Sequence, residues 1–341
     1  MILTYPVINY FISSNSSQGY VSFFQSGFGG LDTVIRLGGY PSMVASDLLS
    51  GICVRAQEKG LHPELIHNCL DNSLEGLILP ERGAGIINYP LYDENAHHLA
   101  AILDDENLER TRSCLTAAHR HLAEALKIHD SWETVYISNM DFAVADRLAA
   151  EMTEKLIGTR RLEKKGVLKD RFFGALTVDG SSDYIDNLTA NVQKRYFIKG
   201  RPGTGKSTFL RRIASGALKA GFDVESYHCA FDPDSLDMVI LRELGVCLFD
   251  STPPHEYFPS RTEDETIDFY KAAVAEKTDE KYRGELAAIM ADYKAAIVKA
   301  TKQLAKAKRY YDEVQRGYLS KIDAQALEST EAAIRRKILG E

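Results

Sequence analysis

The apolar positions of this chain fall into a pattern that occurs twice. In the C-terminal half, KRYFIKG (194–200) alternates aromatic and branched residues and ends on glycine, as a strand running into a turn does. KSTFLRRIASGALKAG (206–221) then sets Phe209, Leu210, Ile213, Ala217 and Leu218 at helical spacing and closes on Gly221. FDVESYHCAF (222–231) reads as a second strand. VCLFD (246–250) reads as a third, short and apolar as in a buried parallel sheet. LDMVILREL (236–244) fits either a strand or a helix. Upstream, RFFGALTVDG (171–180) predicts a strand and turn, and SSDYIDNLTANV (181–192) a short helix capped by serine. From Arg261 to Leu339 the spacing is helical throughout and predicts a long helical hairpin.

The N-terminal half repeats this order. RLGGYPSMVASDLLSGICVRAQEKG (36–60) lies over FIKGRPGTGKSTFLRRIASGALKAG (197–221) at an offset of 161. The match pairs Gly39 with Gly200, Pro41 with Pro202, Ser46 with Ser207, Leu49 with Leu210 and Gly60 with Gly221. At the same offset His67 meets His228 and Asp71 meets Asp232, and after a one-residue insertion Ser73 meets Ser235. A helical block, 122–141, lies over 304–323 at an offset of 182. Three collinear blocks in one order are the signature of an internal repeat. The halves divide at 160/161, within the basic stretch IGTRRLEKKG (157–166).

Between the strand and helix of the second half stands GRPGTGKST, Gly200 to Thr208. It satisfies GxxxxGK[ST] in the strand–loop–helix setting that the motif requires. Gly203 and Gly205 let the backbone approach an anion closely. With Gly200, Arg201, Pro202 and Thr204 they form a loop whose N–H groups converge at a helix N-terminus. Lys206 is expected at the β- and γ-phosphates, Ser207 on Mg²⁺ and Thr208 at the α-phosphate. The metal needs an acidic anchor at a neighbouring strand end, and Asp250 fits, with Asp232 competing. Glu243 and Asp232 are candidates for polarising the attacking water.

These readings predict an α/β fold of two P-loop NTPase-like parallel-sheet cores arising by duplication. Each core carries a long helical hairpin, in halves 1–160 and 161–341. In the first half the motif is gone. Ala45 stands for Lys206, Val44 for Gly205, Ser42 for Gly203, Asp47 for Thr208 and Asn88 for Asp250. Ala45 carries no charge, and branched Val44 resists the dihedrals of a glycine. Only the second half is therefore expected to bind Mg·ATP.

Other residues allow more than one reading. Asp232 and Asp234, in HCAFDPDSLD (228–237), could hold an acceptor hydroxyl in a small-molecule or nucleotide kinase, or simply cap a turn. A third reading is a non-catalytic nucleotide sensor or scaffold. His228 reads as structural, because its counterpart His67 sits beside a loop without the motif. His255 is a loop histidine. Lys299, Lys302, Lys306 and Arg309 form a basic stripe that reads as a solvated helix face among acidic neighbours.

Composition narrows the setting. The chain has 341 residues, 26% of them charged, and a net charge of −7, which argues against a general nucleic-acid binder. No apolar run is long enough for a membrane span, and the N-terminus lacks the basic and apolar regions of a signal peptide. Five irregularly spaced cysteines read as reduced thiols, which fits a cytoplasmic protein. A homo-oligomer and a protein partner are left open. No NKxD-like element follows the loop, which favours ATP over GTP.

YFIKGRPGTGKSTFLRRI, YHCAFDPDSLDMVIL and LFDSTPPH resemble an uncharacterised bacterial family of tandem P-loop ATPases, over nearly the whole chain. The resemblance implies a cytosolic ATP-binding protein with two ATPase-type halves and names no substrate.

Overall fold

The computed structural model describes residues 7–38, 40–92, 106–253 and 255–341. Gly39, paired with Gly200 in the sequence, lies outside the described residues. The first half contains β1 (Ile8–Phe11), β2 (Ser13–Ser16), β3 (Gly19–Ser22), α1 (Phe24–Phe28), β4 (Thr33–Arg36) and α2 (Ser42–Glu58). It continues with β5 (Glu64–His67), β6 (Leu74–Leu79), β7 (Ala84–Ile87), α3 (Glu106–Ile137) and α4 (Phe142–Leu156). The second half contains β8 (Leu168–Phe172), β9 (Gly174–Thr177), β10 (Gly180–Asp183), α5 (Ile185–Leu188), β11 (Lys194–Lys199) and α6 (Lys206–Lys219). There follow β12 (Val224–His228), β13 (Leu236–Leu241), β14 (Val246–Asp250), β15 (Glu265–Asp268), α7 (Phe269–Ala273), α8 (Thr278–Lys281), α9 (Arg283–Leu319) and α10 (Ala324–Leu339). Without β15, α7 and α8, the second order repeats the first.

One 11-stranded sheet runs through both halves in the order β15-β11-β14-β13-β12-β8-β1-β5-β6-β7-β4. Outward from the centre, β1-β5-β6-β7-β4 and β8-β12-β13-β14-β11 are the same arrangement. Their pairings agree as well: β1–β5 and β8–β12 are parallel, as are β4–β7 and β11–β14. β6 and β13 run antiparallel to both neighbours. The sheet is therefore mixed, where the sequence suggested parallel cores. LDMVIL is the strand β13, short enough to return without a crossover.

The halves meet at one antiparallel pairing, Phe11 opposite Phe172. These residues are 161 apart, so each half touches its own counterpart at the joint. Side chains repeat the exchange: the Asn9 amide donates to Asn187 Oδ1 at 2.7 Å, and the Asp170 amide to Ser26 Oγ at 2.6 Å.

Three sequence readings change. The stretch 181–192 gives its first residues to β10, and α5 begins only at Ile185 with no side-chain cap. The region after Arg261 contains β15 before any long helix. The long helices do not fold back as hairpins within each half. Instead α3 and α9 lie against each other, antiparallel, with Arg110 over the Tyr310 ring at one end and Tyr136 beside Leu286 at the other. Beyond them the short helices cross over. Ala149 and Leu156 of α4 join Phe209, Leu210, Ile213 and Ala217 of α6. Ile334, Ile338 and Leu339 of α10 join Leu48, Leu49 and Ile52 of α2. Each half thus covers the other's central helix. Asp141 and Asp323 start α4 and α10 as matching N-caps. The opposite face of the strands carries one shared core, including Ile66, Ile78, Phe197, Met238 and Ile240.

Beside the joint lies a buried ion cluster. Arg171, 2% exposed, donates to Glu64 Oε2 at 2.7 Å, and the Tyr10 hydroxyl donates to the same oxygen. The guanidinium stacks over the Tyr10 ring at 4.0 Å and lies 3.8 Å from Glu225. Removing one partner of a buried pair leaves an uncompensated charge. Arg171→Met should therefore lower unfolding free energy by about 3–5 kcal/mol in denaturant titration, and adding Glu64→Met should recover part of it. Burial pushes the Glu225 carboxyl up, but Arg171 and then Arg242 pull it down further, to about 2. Its folded value lies below its unfolded value, so its contribution is full above about pH 4.5 and is lost as pH falls towards 2. Acid titration of Glu225→Gln should show a flatter loss of stability across that window, by on the order of 3 kcal/mol.

Candidate functional site

The site lies at the end of β11, where the chain turns into α6. Gly203 and Gly205 take φ of +74° and +80°, a region closed to most side chains. Gly205 is the residue preceding α6, and Lys206 begins the helix. The loop braces itself: Thr204 Oγ1 donates to the Arg201 carbonyl at 2.7 Å, and Lys206 Nζ donates to the same oxygen at 2.8 Å. Gly200 and Pro202 complete the turn, and Thr208 lies exposed in the first turn of α6. The Arg201 side chain is drawn outward to Asp279, at 2.8 Å, and lies over the Tyr270 ring.

β14 runs parallel to β11 with Ile198 opposite Asp250, which sets Asp250 beside the loop. Its carboxylate lies 3.5 Å from Lys206 Nζ and accepts from Thr252 Oγ1 at 2.7 Å. In the antiparallel register Met238 faces Phe249, so Asp237 comes next to Asp250. Burial, reinforced by Asp250, pushes the Asp237 carboxyl up to about 6. Two carboxylates thus face one lysine. Asp237 belongs to the acidic cluster visible in the sequence, but only the register gives its place.

The other candidates separate. Asp232 is half-buried on the α6 side, its carboxyl raised by burial and by Asp234 and Asp130. Asp234 is exposed and accepts from Gln18 Nε2 of the first half at 2.8 Å. Glu243 stands away from the loop. It follows Leu241, which pairs with Val246 at the start of β14, and it binds the Asp223 amide and Lys164. That places it at the opposite end of the strands from Lys206, away from the candidate site. His228 bridges the Pro233 carbonyl and Asp170, just as His67 bridges the Asn72 carbonyl and Asn9. Both histidines are brackets of the fold. His255 is held by Asp183 at 2.9 Å. Lys299, Lys302, Lys306 and Arg309 line an open groove with His121.

Sequence reasoning missed a cluster from the other half. His129, Asp130 and Glu133 of α3 lie over the loop, with ligating atoms within 4.8 Å of one another. A Cβ at Gly203 would come within 2.7 Å of the Glu133 carbonyl, so this glycine serves close approach as well as φ. Burial raises the Glu133 carboxyl, and Asp130 raises it further. Lys206 and the Gly203 amide, which donates towards it, oppose them. Burial also holds the His129 ring below the ordinary histidine range, with Lys206 adding to that and Asp130 opposing. His129, Trp132, Phe231 and Tyr293 form an aromatic contact group that seats α3 here. The signal was present in HDSWE (129–133), whose alignment at offset 182 sets Glu133 against Gln315.

The first half shows what becomes of the same frame. Its helix α2 starts at Ser42, the counterpart of Gly203, with Pro41 before it. Three residues that form the loop in one half are helix in the other, and the turned amides are gone. Asn88, in place of Asp250, accepts from the Tyr40 amide at 2.8 Å and donates to its carbonyl at 2.9 Å. Gln315 Oε1 accepts from the Ser42 amide. The retained serine has a role in both halves: Ser46 Oγ accepts from the Leu74 amide at 3.0 Å, and Ser207 Oγ from the Leu236 amide at 2.9 Å.

The chain matches no family model, no curated protein and no solved structure. No helix among the described residues is long and apolar enough to cross a membrane.

Ser46→Ala should cost about 1–2 kcal/mol in thermal or denaturant unfolding, because the Leu74 amide loses its acceptor. Ser207→Ala should cost a similar amount.

Proposed function

We propose that the chain is a Mg·ATP-binding P-loop NTPase with one competent site, in its C-terminal half, that hydrolyses ATP as a conformational switch. The carrying observation is the pair of positive-φ glycines, Gly203 and Gly205, set immediately before a buried Lys206 at a helix N-terminus. Convergent amides, a helix dipole and an ammonium group together favour a polyphosphate. The excess of carboxylate at Asp237 and Asp250 over Lys206 fits a divalent cation. Ser207 and Asp250 would hold Mg²⁺, which neutralises charge on the β- and γ-oxygens. The repeated element order and the shared 161-residue offset support duplication as the origin of the halves. The lack of positive-φ residues from Ser42 to Ala45 supports a silent first site. The resemblance to tandem P-loop ATPases and the unpaired, scattered cysteines favour a cytoplasmic setting.

Equilibrium titration with Mg·ATP tests the reading. One ATP is expected per chain, and Lys206→Ala should weaken binding by roughly 10- to 150-fold. Binding of two nucleotides, or unchanged binding by the variant, would overturn the assignment. Phosphate release without an acceptor supports hydrolysis. ADP formed only when a nucleoside or small alcohol is present would favour the kinase reading through Asp232, and binding without turnover would favour a sensor.

A further inference from the structure

We propose that Glu133, supplied by the long helix of the N-terminal half, is the base that takes the proton from the attacking water at the C-terminal site. The inference rests on the ATPase reading above and deepens it.

Glu133 is the carboxylate that the loop itself selects. Its backbone touches Gly203 so closely that any side chain there would collide, at 2.7 Å from its carbonyl oxygen and 3.0 Å from its Cα. Its carboxylate lies close enough to the Gly203 amide, one of the donors of an anion-binding loop, to be held down by it. Four charged or titratable groups surround it: His129 Nδ1 at 3.8 Å and Asp130 on its own helix, Lys206 on α6, and Asp232 on the loop after β12. It is half-buried, and that environment favours a carboxyl able to accept a proton.

A carboxylate and a phosphate cannot share the Gly203 amide. When the phosphates take the loop donors, like charge moves the carboxylate to the outer side of the terminal phosphate. That is the side from which water must approach in line. The water oxygen bonds to the γ-phosphorus as the bond to the β–γ bridging oxygen breaks. The electron pair leaves with ADP. One water proton passes to the Glu133 carboxylate and from there to solvent.

The silent half provides an internal control. Gln315 is the counterpart of Glu133 and seats its Oε1 on the Ser42 amide at 2.5 Å. Glutamine can fill that seat but cannot take a proton. The basic group therefore occurs only where the phosphate-binding lysine occurs. Glu243 and Asp232 do not meet both conditions, since Glu243 lies at the far end of the strands and the atoms that crowd Gly203 belong to Glu133.

The test compares full-length wild type, Lys206→Ala, Glu133→Gln and Glu133→Asp. Mg·ATP binding is measured at equilibrium, and phosphate release in a single turnover at saturating ATP. Glu133→Gln should fold, because glutamine fills the equivalent seat, and its melting temperature checks this. It should bind ATP at least as tightly as wild type while releasing phosphate at least about 100-fold more slowly. Glu133→Asp should fall between the two in rate with binding unchanged, and it decides the matter if the glutamine variant does not fold. Turnover of either variant at the wild-type rate overturns the proposal. Faster turnover also overturns it and marks Glu133 as a plug in the phosphate seat. A wild type that binds ATP without hydrolysing it removes the proposal and leaves ATP binding intact. A wild type that binds no ATP, like Lys206→Ala, removes the binding reading itself.

Discussion

The structure depends on the meeting of β1 and β8, where Phe11 stands opposite Phe172. Where a residue pairs with its counterpart, the strands on either side follow in the same order outward from the joint. Exchange of helices follows from this. A long helix leaving one half passes its counterpart antiparallel, as α3 passes α9, and delivers its successor onto the other half. Neither α2 nor α6 keeps its outer face covered by its own half. Burying that face requires both halves at once, which makes their cores mutually dependent.

The charge at the joint breaks this symmetry. Tyr10 and Arg171 are counterparts, and the arginine fits over the tyrosine ring between two counterpart glutamates, Glu64 and Glu225. One guanidinium replaces what symmetry would make two phenols or two cations. Two arginines there would repel, and two tyrosines would leave Glu64 without its cation, while Glu225 would keep Arg242. The Nε and Nη1 groups of Arg171 have no hydrogen-bond partner, a cost that the surrounding packing has to offset. Such a cluster is a weak source of net stability. It is a strong constraint on register, because a slip of one residue would bury its charges unpaired.

Local patterns were legible in the sequence, and relations between distant segments were not. The loop, its lysine and the start of α6 could be read from nine residues, because a positive-φ turn before a helix leaves glycine as its trace. Asp250 was legible from the end of an apolar strand. The direction of β13 was not, since an apolar run of six carries no sign of its partner's orientation. Asp237 gained its place only from that direction. Glu243 was misplaced for the same reason: reversing β13 sends its C-terminal end to the opposite end of the strands from Asp250. The helical spacing after Arg261 was legible, but helical periodicity states which face is buried and not against what, so α9 could pair with α3 unseen.

The two loops differ in very few atoms, and the difference follows from the geometry. Serine at 42 and valine at 44 disfavour positive φ, and after Pro41 these residues run on into the helix. Once the amides join the helix they no longer converge, a lysine at 45 has nothing to serve, and Ala45 is buried instead. Ser46 remains because its hydroxyl closes the Leu74 amide whether or not a ligand is present. The first half has a structural role of its own. The cover of the loop at Gly203 is α3, and α3 belongs to the silent half. Without the first half, the loop at Gly203 would lose its cover, Phe231 its contact to His129, Tyr293 its contact to Trp132 and Asp234 its contact to Gln18. The exchange of helices is what makes the first half part of the second half's loop.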